Sequence, residues 1–517
     1  MVNRGPSKGC WTCRKRRVKC DEGKPSCHQC SRLGRECGGY EPATKTREIR
    51  FRSYGKGCRS TVSKLLPRPR AGVVPVALIP SDESLAIGFF ITSIVGLGRG
   101  YKSTQGFLEP LLPVVAREHP SSVLSTVVSA VSTKFWAFFK DPATTYDSPH
   151  SPFNNALAHL QIALNDPVER AKDSTIFSVI LMHFYESIAA RSTHRPTIRA
   201  HQDGARALLE QQPAGASQTA CGAYLKGYLR HCDISTYLET QDHNTAELET
   251  WFDAGWNESM PANPNAILDL IGLALADLQM RLADIKSRTK LDLLDSDIEA
   301  WWRDLKSVEA QLSDWILLVP PGWQPHTRKM YHGPSYLGAC DLYPTVQIAT
   351  IWNVWRVCRL MALRMRLSLQ SSLQHEASHQ LESMEVKVNT SSSSNNGREL
   401  IDAICRSLPF FLGNRQSHGG LNDLVDEGII IPSYHDADLD EEVRAQYIQG
   451  DDAMSAEDYK KHILVQGPSH ALLHLNSLIK VLSSDGGNFI CRQIGADQVV
   501  WIREQFLRVC RLTNSHM

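Results

Sequence analysis

Gly9-Cys10-Trp11-Thr12-Cys13-Arg14-Lys15-Arg16-Arg17-Val18-Lys19-Cys20-Asp21, then Lys24-Pro25-Ser26-Cys27-His28-Gln29-Cys30 and Cys37, places six of the chain's 14 cysteines within the first 37 residues. The intervening counts from Cys10 to Cys37 are two, six, six, two and six. One unit, a pair of cysteines two apart with a third six further on, is therefore written twice. No apolar signal-peptide core follows the basic run at Arg14, so reduced thiols are expected and three disulfides are a poor reading. Metal is the better one. A single tetrahedral Zn²⁺ takes four thiolates and would leave two reactive thiols beside a basic segment. Two ions need eight ligand positions, which six cysteines supply if the first member of each half bridges. That assigns Cys10, Cys13, Cys20 and Cys27 to one zinc and Cys27, Cys30, Cys37 and Cys10 to the other. Only Trp11, Val18 and Leu33 could form an apolar core here, so metal is expected to supply most of the folding free energy. His28 lies between two ligands, but the thiolate count is complete without it, and it is expected to be exposed.

Charge separates this segment from the rest of the chain. The 517 residues hold 56 Lys+Arg and 55 Asp+Glu, a formal net charge of +1 that by itself argues against a polyanionic partner. Residues 1–70 alone hold 19 Lys+Arg and 5 Asp+Glu, which leaves 37 and 50 in the remainder. A basic end on an otherwise acidic protein is the composition of a nucleic-acid-contacting arm joined to a separate body. Cys10 and Cys13, spaced i, i+3, can face one side of a short helix, so that Arg14 to Lys19 project elsewhere. Five of these six residues are basic. A basic run of this kind can also serve nuclear import, and the two uses can coexist.

From Gly9 to Tyr40, with the six cysteine spacings, the basic run, Asp21 and Pro25 all in place, the sequence resembles the fungal Zn₂Cys₆ binuclear-cluster transcription factors. Gly9 stands where those proteins most often have Ala. The resemblance implies two Zn²⁺ per chain held by bridging cysteines, and a short helix whose C-terminal end enters the major groove of double-stranded DNA at CGG-like triplets. It implies that Arg16 and Arg17 occupy the base-contacting positions. Where the family usually has Lys as the leading contact, Arg17 offers a planar fork able to bond guanine O6 and N7 together. Arg14, Lys15, Lys19 and Lys24 are placed as phosphate contacts, which set affinity and salt dependence. The resemblance further implies a nuclear, non-enzymatic regulator of RNA polymerase II genes, such as a metabolic or secondary-metabolite set, with the transcription machinery or co-regulators as partners.

The fold expected is a small binuclear zinc-cluster domain with short helices (residues 1–42), a basic, Pro-containing linker (43–80) and a large all-α regulatory domain (81–517) with a disordered low-complexity loop near 381–397. No apolar heptad occurs between Glu41 and Pro80, so a homodimer, if formed, has no evident coiled coil after the cluster. No apolar stretch reaches the about 20 residues needed to span a bilayer; Leu85 to Gly98 is the longest approach, and no membrane partner is expected. From Ser81 onward apolar residues recur at helical spacing, as in Val123, Leu124, Val127, Val128 and Val131. This part resembles, more weakly, the regulatory domain that accompanies such clusters, through Tyr185-Glu186, His201 with Gly204-Ala205, Trp352-Asn353 with Arg356 and Arg359, and Cys405 to Gly413.

Several features invite sharper readings. His201 is expected to pack beside close-approaching helices, and Arg356 and Arg359 to be paired buried charges. Leu268, Ile271, Leu275, Leu278, Leu282 and Ile285 are expected to form a core helix against Trp301, Trp302, Leu305, Val308, Leu312 and Trp315, with a dimer seam as the alternative. His375-Glu376-Ala377-Ser378-His379 matches the zinc-peptidase pattern HExxH, but it sits at the polar end of a helix and has no third ligand in view. Gly96 to Ser103 lacks the Gly that a phosphate loop needs before its Lys. The eight remaining cysteines are expected to pack in the core. A ligand-sensing body that controls DNA binding is the other reading left open.

Overall fold

The computed structural model describes residues 9–40, 80–95, 108, 110–140, 151–193, 199–212, 219–240, 251, 263–288, 295–377, 390–436, 439–448, 454–492 and 494–513. The chain divides into two compact units, Met1–Val74 and Pro75–Met517. The expected basic linker, apart from Pro80, lies outside the described residues, as do Cys58 and Gly96 to Ser103.

Among its described residues the first unit contains two short helices, α1 (Trp11–Lys15) and α2 (His28–Ser31). Its buried side chains are Cys10, Cys13, Cys27 and Cys30, with Cys20, Cys37 and Tyr40 packed against them. The three apolar residues that could have formed a core do not. Trp11, Val18 and Leu33 are exposed, because helices of five and four residues cannot bury an apolar stripe while turning their cysteines inward.

The second unit is built from long helices: α3 (Asp82–Phe90), α4 (Val123–Lys140), α5 (Ser151–Asn165), α6 (Asp173–Thr193), α7 (Ala200–Glu210), α8 (Ala220–Thr240), α9 (Pro264–Ser287), α10 (Asp295–Leu318), α11 (Val346–Ala377), α12 (Thr390–Leu412), α13 (Ala456–Ser483) and α14 (Ala496–Thr513). Several starts are written locally. Asn263 Oδ1 accepts from Ala266 N with Pro264 at the first helical position, and Ser455 Oγ accepts from Asp458 N, so orphan donors at both N-termini are satisfied. Helix α4 packs on α3, α5 and α6, while α13 is central to the other side and touches α8, α11, α12 and α14. A Cβ at Gly467 of α13 would collide with the Phe411 carbonyl of α12, so glycine sets how closely these two helices approach.

Among the described residues the body departs from all-α in one place. Strands β1 (His326–Lys329) and β2 (Ala339–Leu342) form an antiparallel hairpin in register His326 to Leu342, and β2 lies on α12. The positive φ of Gly333 and Gly338 lets the connection turn, and buried Asp341 accepts from Thr327 Oγ1 at 2.7 Å and Arg406 Nε at 3.2 Å. The loop expected near 381–397 is also revised. Residues 381–389 lie outside the described residues, whereas Thr390 to Gly397 form the first turns of α12; serine is only modestly poorer than alanine in a helix, and the run from Leu400 onward anchors the helix in the core.

The core-helix reading of α9 holds. Leu268, Ile271, Leu275, Leu278, Leu282 and Ile285 are all buried, and α10 supplies the partner face. Trp301 Nε1 donates to Leu278 O at 2.8 Å and Trp315 Nε1 to Pro264 O at 2.7 Å, while Trp302 is only partly buried. Arg356 is buried, donates to Tyr343 Oη and Asn353 Oδ1, and lies 3.6 Å from Asp341. Among the described residues Arg359 makes no salt bridge; it lies half-buried over Trp355 and donates to Ser313 Oγ. His201 Nδ1 lies 2.9 Å from Glu186 Oε2, off hydrogen-bond geometry, beside Gly204 and Ala205. Cys340, Cys358, Cys405 and Cys510 are buried as expected, but Cys221, Cys232 and Cys491 are only half-buried.

Candidate metal centre and nucleic-acid interface

The cysteine geometry follows from two copies of one local device. Cys10 Sγ accepts from Cys13 N at 3.4 Å at the start of α1. After Lys15 the chain leaves the helix through a Schellman turn, with Arg17 N bonded to Arg14 O at 3.1 Å and Val18 N to Cys13 O at 3.1 Å. Arg17 takes the left-handed conformation that this turn requires, φ +56°. In the second half Gly34 N bonds to Ser31 O at 3.1 Å and Arg35 N to Cys30 O at 3.0 Å, with Gly34 at φ +57°. The basic run is thus not one helix: only Arg14 and Lys15 are helical, and Arg16 to Lys19 form the turn and the strand-like return to Cys20. The reason is the metal-ligand spacing, since a continuing helix would carry Cys20 away from the other sulfurs.

Links between the halves close the module. The Asp21 carboxylate accepts from His28 N at 2.9 Å and Gln29 N at 3.2 Å, which caps α2. The His28 N–H, foremost among these donors, holds the Asp21 carboxyl below its ordinary range. Trp11 N donates to Gly39 O at 3.0 Å, Gly38 N to Thr12 Oγ1 at 2.8 Å, and Tyr40 Oη to Gly23 O at 2.6 Å.

Two sets of four sulfurs gather, Cys10 with Cys13, Cys20 and Cys27, and Cys10 with Cys27, Cys30 and Cys37; within each, all ligand atoms lie within 4.8 Å of one another. The sets share Cys10 and Cys27, the two sulfurs that ligand counting made bridges. Cys10 and Cys13 each stand 3.6 Å from Cys27, and 3.8 and 3.9 Å from Cys30. Four sulfurs at about 2.3 Å around one zinc are about 3.8 Å apart, whereas a disulfide needs about 2.0 Å. The residues present therefore fit two zinc ions, and the six-cysteine cluster is a binuclear zinc site. Burial pushes the Cys13 thiol up to about 12, so gathering these sulfurs as thiolates requires the cations. Cys20 runs the other way, lowered to about 7 by the N–H groups of Cys10 and Glu22 aimed at its sulfur. His28 is exposed and outside both sets. Among the described residues no further such ligand set occurs; of the HExxH stretch, His375 to Ala377 end α11 and Ser378 and His379 lie outside the described residues.

The basic side chains surround this cluster on its outside. Lys15, Arg17, Lys19 and Lys24 are exposed, while Arg14 and Arg16 are half-buried, Arg14 lying 5.7 Å over the Trp11 ring. One group in the body was not foreseen from sequence at all: His231, Ser235 and Asp269, which meet beside a cavity although 38 residues separate His231 from Asp269. No local spacing signals such a meeting.

Residues 8–47 match the fungal Zn(2)-Cys(6) binuclear cluster domain. Over 45 residues the chain is 49% identical to White-opaque regulator 2 of Candida albicans, covering 9% of this chain and 10% of that one. Over 36 residues it is 61% identical to the aspercryptin biosynthesis cluster-specific transcription regulator atnN of Emericella nidulans, 7% of this chain and 6% of that one. These two likenesses thus span a tenth or less of the relatives' own lengths. Transcription factor dbaG of Emericella nidulans is 22% identical over 351 residues, 66% of this chain and 76% of that one. No solved structure matches. The N-terminal end of this chain is a fungal Zn(2)-Cys(6) binuclear cluster domain, and a large helical body follows it.

Proposed function

We propose that the protein is a zinc-dependent, sequence-specific DNA-binding regulator of transcription by RNA polymerase II that acts in the nucleus. Residues 1–42 form the DNA-reading domain, 43–80 the basic linker and 81–517 the regulatory body. The observation that carries this reading is the Schellman turn at Arg17. Two quartets of sulfurs that share Cys10 and Cys27 fix the turn on a module with no apolar core, and the turn displays exposed basic side chains.

In this reading Cys10, Cys13, Cys20, Cys27, Cys30 and Cys37 hold two Zn²⁺, whose positive charge makes the six thiolates tolerable in so small a volume. Arg17 forks onto guanine O6 and N7 in the major groove, with Arg16 as the second base contact. Arg14, Lys15, Lys19 and Lys24 neutralise phosphates and set the register. The match to relatives named a transcription factor and a biosynthesis cluster-specific transcription regulator supports a secondary-metabolite gene set as the target. Selection of DNA sites in vitro by the full-length, zinc-loaded protein tests the proposal. Enrichment of CGG-like triplets is expected, and their number and spacing would report monomer or dimer. Failure to enrich any motif, with two zinc ions bound, would overturn it.

A further inference from the structure

A cavity of about 360 Å³ lies inside the helical body, where α4, α6, α8, α11 and α13 converge. Its volume falls in the range that holds a drug-sized molecule. Its lining includes the aromatic rings of Phe135, Phe138, Phe139, Phe184 and Tyr228. It also includes the polar side chains of Ser187, His231, Ser235, Thr350, His418 and His470. Among the described residues that line it, none is Asp, Glu, Lys or Arg.

Neighbouring groups hold several of these polar side chains in place. Buried Asp269 pairs with His231 Nδ1 at 2.9 Å, and His231 Nε2 lies 3.3 Å from Ser235 Oγ. Thr350 Oγ1 donates to Val346 O and lies 2.9 Å from His470 Nδ1. His418, ringed by Phe138 and Phe139, is lowered to about 4 by burial and is neutral. A separate void of about 10 Å³, room for a single hydroxyl-sized group, shares Ser235, Val354 and Leu473 with the lining of the main cavity and is also lined by His474. His474 is 1% exposed, and its Nε2 has no hydrogen-bond partner among the described residues. A buried imidazole nitrogen without a partner is costly, so this end of the cavity favours a guest that brings a hydroxyl.

We propose that this cavity binds an uncharged, largely aromatic small molecule that carries a hydroxyl or carbonyl group toward the His231, Ser235 and His474 end. The aromatic wall supplies stacking and apolar burial. Among the described lining residues there is no Lys or Arg to hold an anion and no carboxylate to hold a cation, so burying either charge there would cost its hydration without a partner. Asp269, His231 and Ser235 follow the order of a hydrolase triad, but Ser235 lies one turn along the same helix as His231. The N–H groups of α8 are committed to the helix, so the helix offers no oxyanion donors near Ser235. The proposal concerns the body alone and stands whether or not residues 9–40 read DNA.

Titration of the full-length, zinc-loaded protein with N-phenyl-1-naphthylamine, an uncharged fluorescent aromatic amine, tests it. Saturable, one-to-one binding with blue-shifted emission is expected. 2-Naphthol should displace the probe about fivefold better than naphthalene, the gain of one neutral hydrogen bond. 2-Naphthoate should compete less well than 2-naphthol. Ser187→Trp, which fills the cavity, should weaken the probe at least about tenfold, the worth of about 1.4 kcal/mol, while the circular dichroism melt stays near that of the parent. Should that variant not fold, Ser235→Ala decides: it should bind the probe as the parent does but lose the preference for 2-naphthol. Absence of saturable binding, unchanged binding in folded Ser187→Trp, an unchanged 2-naphthol preference in Ser235→Ala, or tighter competition by 2-naphthoate would overturn the proposal.

Discussion

The two halves of the zinc cluster have one backbone and two chemistries. Cys10 to Cys20 and Cys27 to Cys37 share their spacing, their short helices and their Schellman turns, down to left-handed residues at φ +56° and +57°. Yet the first half carries Arg14, Lys15, Arg16, Arg17 and Lys19 where the second carries Ser31, Arg32, Leu33, Gly34 and Glu36. The left-handed position suits glycine, and the second half has one. The first half keeps an arginine there, against a cost of about 1 kcal/mol for a side chain in that conformation. Backbone geometry thus serves the metal in both halves, and only the first puts a cationic side chain at the left-handed position of its turn.

The bridging residues provide the most severe test of this equivalence. Cys10→Ala and Cys27→Ala should each disrupt both metal positions, lowering zinc from two per chain toward zero and abolishing DNA binding. Cys13→Ala or Cys30→Ala should cost less zinc. Zinc counting by atomic absorption on the full-length protein checks this, and equal losses from all four variants would break the shared-ligand picture.

At the next level, Arg17→Ala should remove about 1–3 kcal/mol of discrimination between selected and random DNA, as expected of one bidentate base contact. Arg35→Ala, in the second half, should leave that discrimination within about twofold of the parent, since a residue outside the proposed base-reading turn would carry no sequence information. Competition binding with the selected site measures both, and equal weakening on all DNA would reassign Arg17 to phosphates.

Exchanging the turn residues separates presentation from folding. Arg17→Gly should strengthen the cluster by about 1 kcal/mol while it loses specificity, and Gly34→Ala should weaken the cluster by a similar amount without touching specificity. No neighbouring atom lies within 4 Å of a Cβ at Gly34, so the penalty there is conformational alone. The chelator concentration that removes half the zinc reports both changes.

The smallest effect expected is on salt dependence. Lys19→Ala should lower the slope of log affinity against log salt by about 0.9, the release of one phosphate counterion, whereas Arg32→Ala should leave it unchanged. Equal slopes would mean that both halves track the backbone.

Much of the cluster was legible because its constraints are local. Six cysteines at repeated spacing fix the ligands and, by counting, the two bridges, and the gathered sulfurs reproduce that set. The turn was not legible. Arg17 is a residue that gives no turn signal, and its left-handed conformation follows from the need to return Cys20 to the metal. In the body, apolar spacing at three and four marked α9 as a core helix, and the tryptophans after it marked the partner. The β1–β2 hairpin escaped because His326 to Lys329 shows no alternation of apolar and polar residues; its strand character comes from pairing with β2.

By itself the sequence determined the metal, its ligands and the charge division, since these depend on residue identity at short separations. Only the tertiary structure decided that the basic run breaks at Lys15, that β2 lies on α12, and that His231, Ser235 and Asp269 meet at an aromatic cavity. Those outcomes depend on which helix faces meet across long stretches of chain. Periodicity says which face of a helix is apolar, and packing alone says what that face touches.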